Sequence, residues 1–359
     1  MIYIVLVNWN GWKDTIECLE SLLRLRYENF RILVCDNASD DRSLDRIAEW
    51  AEGKLAAESS NPALQHLISP PVPKPVPFLR ISLDEKVNLA EHSEKLALIQ
   101  AGSNLGFAGG NNVGLALALQ AGDLEYAWVL NNDTVVDPQA LSALVERMEQ
   151  RPDAGMCGST LLHYYDPASI QALGGSTLNH WLARVGHIGL KQQNHRSRLS
   201  VDEVERRMQY VVGASIFVRR SFLDRVGLMD ERYFLYFEEA DWAIRAKPFF
   251  SLAYCPASLV YHKEGSSIGT ANVKNKRRSE LSERFASRNR ILFTRTHYPA
   301  SLATVIPLML ISALHRLATG KLRNFRALLQ GMASGLFAPG KPAAREPDCT
   351  GETGGAILR

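Results

Sequence analysis

A chain of 359 residues, 46% hydrophobic and 22% charged, has the composition of a folded globular protein and the length for one large α/β domain with an appendage. A formal charge of +3 is too small to argue for a nucleic-acid partner. Five scattered cysteines without a CxxC pair argue against a disulfide frame or a zinc site, and for reduced thiols in a cytosolic compartment.

Met1–Val7 has no basic leader and no cleavage pattern, so Ile2–Val7 reads as a first strand. Trp12, Ile16, Leu19 and Leu23 recur at helical spacing, and Arg31–Cys35 reads as the second strand. A helix is expected through Arg46–Leu55. Asn61–Phe78 then carries Pro62, Pro70, Pro71, Pro73, Pro75 and Pro77, which can continue neither a helix nor a central strand, so it reads as an inserted surface loop with polyproline character. The alternation resumes with a strand over Leu96–Gln100, a helix over Gly109–Gln120, a strand over Tyr126–Asn131 and a helix over Pro138–Gln150 capped by Asp137. This is the pattern of a wound parallel sheet. Beyond Gly155 the runs become irregular, as in a mixed sheet. The apolar run Leu302–Leu314, interrupted by Pro307, reads as too short and too broken to span a membrane, and the Gly- and Pro-rich tail from Ala338 reads as disordered.

Four segments carry groups that chemistry can use. Strand two runs into Asp36-Asn37, where an open parallel sheet holds its ligands; a carboxylate there can accept a pyrimidine imide N–H or a ribose hydroxyl, and the same Asp-Asn-x-Ser pattern also caps a helix. Asn104 to Asn112 opens a helix with glycines that admit close backbone approach, but its spacing is not the dinucleotide fingerprint GxGxxG, which excludes a dehydrogenase. Asn131-Asn132-Asp133 ends a strand, and Asn131 and Asp133 on one side can offer oxygens to a hard cation that also holds a diphosphate. His262 ends another strand and is either a further ligand or structural. The fourth segment, Phe234–Arg245, sets Glu238, Glu239 and Asp241 among aromatic residues. In a helix from Glu238 onward, Glu238, Asp241 and Arg245 share a face while Glu239 points about 100° away. An Asp241–Arg245 ion pair explains part of this run and leaves a carboxylate over.

In this order and spacing, Asn8-Trp-Asn-Gly11, Asp36-Asn37, Asn104 to Asn112, Asn131-Asn132-Asp133, Gly227 to Asp241 and His262 together resemble the family 2 inverting glycosyltransferases, within them the rhamnosyltransferase and galactofuranosyltransferase branch, over residues 2–295. The resemblance implies an α/β GT-A fold, the nucleotide-diphospho-sugar transferase fold, with a Rossmann-like nucleotide-sugar half over 1–135 and a mixed-sheet acceptor half over 136–295. A helical extension over 296–337 and a tail over 338–359 follow. It implies a UDP- or dTDP-sugar donor bound by Asn8, Asp36, Asn37, Asn104, Gly106, Phe107, Asn111, Asn112 and Asn132. It further implies Mg²⁺ or Mn²⁺ on Asn131, Asp133 and His262, with Glu239 as catalytic base and Asp241 beside it. The acceptor would be a hydroxyl of a glycan or lipid-linked molecule in cell-surface polysaccharide synthesis. Asn131 stands where the family's first metal-binding acid stands, Glu239 replaces the more usual Asp, and the Pro-rich insertion has no counterpart. These departures keep open a catalytically inert sugar-nucleotide-binding homologue.

Leu314, Leu317, Leu322, Phe325, Leu328 and Met332 fall near one helical stripe with Arg316, Lys321, Arg323 and Arg326 around it. The expectation is peripheral attachment to the inner face of the cytoplasmic membrane. The same stripe could instead pack on the catalytic domain or across a homodimer. A basic cluster at Lys274, Lys276, Arg277 and Arg278 precedes it.

Overall fold

The computed structural model describes residues 1–85, 87–193, 199–264 and 279–339. The basic cluster at 274–278 and the tail beyond residue 339 lie outside them. Continuous apolar runs, buried on both faces, build the parallel strands β1 (Ile2–Asn8), β2 (Phe30–Asp36), β4 (Leu96–Gln100) and β5 (Tyr126–Asn131), and the half-exposed β3 (Phe78–Ser82) adds the edge. They lie in the order β3-β4-β2-β1-β5, with Asn8 paired to Asp36 at the carboxyl end. The connecting helices are α1 (Trp12–Leu22), α2 (Ser43–Ala51) and α3 (Gly106–Gln120).

After β6 (Thr134–Val136) and α4 (Ala140–Gln150), the sheet becomes mixed. β7 (Ala154–His163), β8 (Asp166–Leu173), β12 (Ser215–Arg219) and β13 (Ser251–His262) extend it, with β12 antiparallel to β5 and β7, and β13 parallel to β7. A small second sheet joins β9 (Gly175–Asn179) to β10 (Arg184–His187) and β11 (Tyr210–Val211). Helices α5 (Val201–Arg207), α6 (Arg220–Val226) and α7 (Glu238–Ala246) complete this half. The chain continues into α8 (Glu280–His297), α9 (Leu302–Ala318) and α10 (Leu322–Leu336).

The structure corrects five expectations. The Pro-rich segment is not a detached loop: a 3₁₀ turn over Pro62–Leu67 buries Leu64, Leu67 and Ile68 against Val135 and Tyr164, and the chain then enters β3, a strand the prolines concealed. The Tyr164 hydroxyl holds the segment, accepting from the backbone N–H of Ser60 and of Asn61 at 3.1 Å each while donating to Glu17. The second helix covers Ser43–Ala51 and not Arg46–Leu55, α3 begins at Gly106 and not Gly109, and α4 begins two residues after Pro138. Pro307 does not break α9, which runs unbroken through it; Pro299–Ala318 is a 20-residue helical stretch of mean hydropathy 1.5, long and apolar enough to cross a membrane.

The C-terminal stripe is divided. Leu328 and Met332 of α10 are buried, and Gly331 and Gly335 let that helix lie directly on α8, where a Cβ would collide with Ser287 Oγ and with the Arg284 and Arg288 carbonyls. Leu314, Leu317 and Leu322 stay exposed.

Candidate active site

The carboxyl ends of β1, β2 and β5 meet in a dense polar network. Asn8 Nδ2 donates to Asp36 Oδ1 at 2.6 Å, and Ser39 donates to Asp36 twice, from its hydroxyl at 2.6 Å and its N–H at 3.0 Å. Asn132 Nδ2 donates to Thr15 Oγ1 at 2.9 Å, and the Thr15 hydroxyl donates to Asn8 Oδ1 at 2.9 Å. These contacts set the position of Asp36 beside a cavity of about 460 Å³ lined also by Arg80, Ser82 and Gln100. Asn132, 5% exposed, faces into the protein.

The entry to α3 sits next to this network. Asn104 Oδ1 accepts from Gly106 N–H at 3.0 Å, and Asn37 Nδ2 donates to the Gly106 carbonyl at 2.8 Å. Gly106 has φ +70°, and a Cβ there would strike the Phe234 carbonyl and ring, so only glycine lets α3 meet the 234 segment. Asn111 Nδ2 donates to the Phe107 carbonyl at 2.8 Å. The Oδ1 atoms of Asn37 and Asn111 are buried with no hydrogen-bond partner. Asn112 differs: it exchanges hydrogen bonds with the Met229 backbone and donates to Glu231, which fastens α3 to the following half.

Asn131, Asp133 and His262 converge. His262 Nε2 lies 3.1 Å from Asp133 Oδ1 and 3.2 Å from Asn131 Nδ2, while its Nδ1 lies 3.0 Å from Gln171 Oε1. Burial disfavours the imidazolium, but the Asp133 carboxylate outweighs it and raises the His262 pKa. Asn131 Oδ1 is a buried acceptor with no partner. A carboxylate, an imidazole nitrogen and an orphaned amide oxygen suit a divalent cation whose remaining ligands come from a diphosphate. Among the described residues, no three His, Cys, Asp or Glu side chains form such a group on their own.

The segment before α7 is strained. Phe234, Tyr236 and Phe237 have φ of 47°, 73° and 73°, a conformation L-residues seldom adopt. Asn289 of α8 holds it, its Nδ2 donating to the carbonyls of Tyr233, Leu235 and Tyr236. The turn aims the first carboxylates of α7. Glu238 is buried and Glu239 partly buried; Oε2 of each has no hydrogen-bond partner. Burial raises the Glu239 pKa to about 7, and burial together with the neighbouring Glu239 charge raises Glu238 well above the carboxylate range. Asp241 is wholly buried, its Oδ2 accepting from Arg245 Nε at 2.7 Å and its Oδ1 lying 2.7 Å from His297 Nε2. Burial alone would raise its pKa, but the His297 hydrogen bond and the Arg245 charge outweigh burial and lower it.

One loop joins these groups. A Cβ on Gly213 would lie 3.8 Å from both Glu239 Cδ and Phe107 Cζ, and the adjacent Ala214 carbonyl accepts from Asn131 N–H at 3.0 Å. The metal-ligating candidates, the α3 entry and Glu239 therefore border the Val212–Ser215 turn. The sequence reasoning passed over Ser39, Gly213, Asn289 and His297. Only Ser39 left a signal, in its place within the Asp-Asn-x-Ser pattern.

The profile of the family described as "Glycosyltransferase like family 2" matches residues 87–280, more than half of the chain, and that of "Glycosyl transferase family 2" matches residues 3–61. Two curated relatives, the N-acetylglucosaminyl-diphospho-decaprenol L-rhamnosyltransferases of Mycobacterium tuberculosis strains CDC 1551 / Oshkosh and ATCC 25618 / H37Rv, are each 29% identical over 189 residues. The match covers 48% of this chain and 60% of each relative. Among solved structures, the mannosyltransferase PcManGT of Pyrobaculum calidifontis, in complex with GDP-Man and Mn²⁺, aligns with TM-score 0.49 at 12% identity over 94% of this chain and 87% of its own. S. aureus TarS 1-349 aligns with TM-score 0.46 at 13% identity over 93% and 90%. Both similarities are too distant to carry chemistry across. With its family model matching more than half of the chain, the chain belongs to glycosyltransferase family 2.

Proposed function

We propose that the protein is an inverting glycosyltransferase that moves a sugar from a UDP- or dTDP-linked donor to a hydroxyl of a glycan or lipid-linked acceptor in cell-surface polysaccharide synthesis. The observation that carries this reading is Glu239, a partly buried carboxylate with an unpartnered oxygen and a pKa near 7 at the mouth of a strained turn. A base of that strength can take a proton from an acceptor hydroxyl at neutral pH. The acceptor oxygen then bonds to the anomeric carbon as the bond from that carbon to the phosphate oxygen breaks. The nucleoside diphosphate leaves with the electron pair, the proton stays on Glu239, and the configuration inverts. Burial and the neighbouring Glu239 charge push the Glu238 pKa up, which disfavours a second charge beside the base.

Asn131, Asp133 and His262 would hold a divalent cation, Mg²⁺ or Mn²⁺, and that cation would supply charge neutralisation at the departing diphosphate. Asp36, Ser39 and the cavity beside them would receive the pyrimidine, with Asn37 and Asn111 accepting from sugar or ribose hydroxyls. Asp241 supports this arrangement by fixing α7 to α8 through His297. The bounds 1–135, 136–295 and 296–337 describe the donor half, acceptor half and extension in this reading. Peripheral contact with the inner face of the cytoplasmic membrane follows from a lipid-linked acceptor. The chain spans 60% of the length of the curated rhamnosyltransferases it matches, so a rhamnose donor belongs to the proposal.

The test is mass-spectrometric detection of transfer from a panel of UDP- and dTDP-sugars with Mg²⁺ or Mn²⁺, beside calorimetric donor binding. Transfer with inverted anomeric configuration is the expected result. Donor binding without turnover on any acceptor would assign the chain to the inert homologues.

A further inference from the structure

Helix α9 is apolar on both faces. Val305, Met309 and Ala313, four residues apart, are 1–3% exposed and pack with Ile291 of α8 and Leu328 and Met332 of α10. The opposite face presents Leu308, Leu310, Ile311, Leu314 and Leu317 to solvent, with Ile311 and Leu314 each 62% exposed. A soluble helix ordinarily turns polar residues outward. Beside this face stands the β9–β10 turn, where Trp181 and Leu182 are also exposed. The turn is fixed to the start of α9: His180 Nδ1 lies 2.9 Å from Ser301 Oγ, the Thr304 hydroxyl donates to the Trp181 carbonyl, and the His180 ring stacks on Tyr298 at 4.4 Å.

Charge selects the occupant. Residues 302–336 contain four basic side chains, Arg316, Lys321, Arg323 and Arg326, and no Asp or Glu, although Glu283 of α8 pairs with Arg316 at 2.8 Å and Glu280 lies 3.6 Å from Arg323. Lys321, Arg323 and Arg326 are exposed at the end of the apolar face, and Arg184 is exposed beside Trp181 and Leu182. In a two-fold dimer the same patch would meet itself, bringing like-charged rims together. An anionic bilayer complements both the apolar face and its rim.

We propose that the outer face of α9 and the β9–β10 turn form a single wedge that docks in the plane of an anionic lipid bilayer. The helix lies along the surface and does not cross it, because its other face stays packed on α8 and α10. This keeps Leu314 and Leu317 of the stripe expected from the sequence, which lie on α9, and takes out Leu328 and Met332, which α10 buries within the protein. β9 pairs with β11, and β11 leads through Val212 to Gly213 beside Glu239, so the wedge lies on the side of the molecule that the proposed function gives to the acceptor. Its purpose rests on the proposed function; the docking does not.

The experiment is co-sedimentation of the full chain with vesicles of phosphatidylglycerol and phosphatidylethanolamine, and with phosphatidylcholine alone. Wild type should bind the anionic vesicles, and less so at high salt. Ile311→Asp/Leu314→Asp should cut partitioning by at least about tenfold. Lys321→Gln/Arg323→Gln/Arg326→Gln, which leaves every buried contact intact, should cut it severalfold. Brominated lipids should quench wild type more than Trp181→Phe. Failure of wild type to bind, or binding unchanged in both multiple variants, overturns the proposal; so does a dimer seen by sedimentation velocity that the Asp pair abolishes without any vesicle binding. Transfer to a water-soluble acceptor, measured without vesicles, reports on the proposed function separately.

Discussion

Two regions of the site treat their carboxylates in opposite ways. At the ends of β1 and β2, Asp36 receives hydrogen bonds from Asn8 and twice from Ser39, while at the entry to α7, Glu238 and Glu239 each keep an oxygen without a partner. Asp241, three residues beyond Glu238, follows the first pattern, clasped by Arg245 and His297. A carboxylate with its bonds complete fixes geometry. One held in a partly dry place without them carries a raised pKa and has a reason to exchange a proton.

The largest expected effect breaks this contrast at its reactive end. Glu239→Gln keeps the shape and removes the basicity, and should lower kcat by at least about 10²-fold while calorimetric donor affinity persists. Wild-type kcat in that variant would remove Glu239 from the role of base. Next, Asp133→Ala should abolish the metal-dependent part of donor affinity, and His262→Ala should weaken it. Equal donor affinity with and without EDTA in the wild type would remove the metal from the account.

Asp241→Asn tests the structural end. Separating a buried carboxylate from Arg245 and His297 should cost about 3–5 kcal/mol in chemical denaturation, against little or no loss for Glu239→Gln. The pH dependences should also have opposite signs. Asp241 has a lowered folded pKa, so its contribution is present at neutral pH and lost on acidification through that pKa. Glu239 has a raised one, so the stability linked to it is full below the ordinary carboxylate range and falls as pH rises towards about 7. Glu239→Gln should therefore melt above wild type at about pH 8 and match it at about pH 4. Parallel melting curves across that range would mean that Glu239 is solvated like any surface acid.

The parallel strands were legible because runs such as Ile2–Val7 and Tyr126–Leu130 are apolar throughout, as strands buried on both faces tend to be. β3 was not, since Phe78–Ser82 is a short edge strand directly after six prolines. In the candidate site, spacing identified the Glu238–Asp241 run and the Asp241–Arg245 pair, because both are local to one helix. His297 and Asn289 reach the site from α8, more than 50 residues downstream, and no periodicity encodes such a contact. The C-terminal stripe shows the same limit. Helical spacing gave α10 an apolar face, but Gly331 and Gly335, which allow α8 to cover it, were the signal that its partner is protein.

Asn289 also bears on the order in which the protein takes shape. The three carbonyls it gathers belong to residues 53 to 56 positions earlier in the chain. As synthesis proceeds from the N-terminus, β1 to β5 can pair while the Phe234–Phe237 turn still lacks the side chain that holds its left-handed backbone. The crevice beside Asp36 can thus form before the Phe234–Phe237 turn, and, on the proposed function, a chain ending ahead of α8 should hold a nucleotide yet fail to present Glu239. In pulse-labelling hydrogen exchange during refolding, the amides of Phe234–Phe237 should gain protection together with those of α8, after those of the parallel strands.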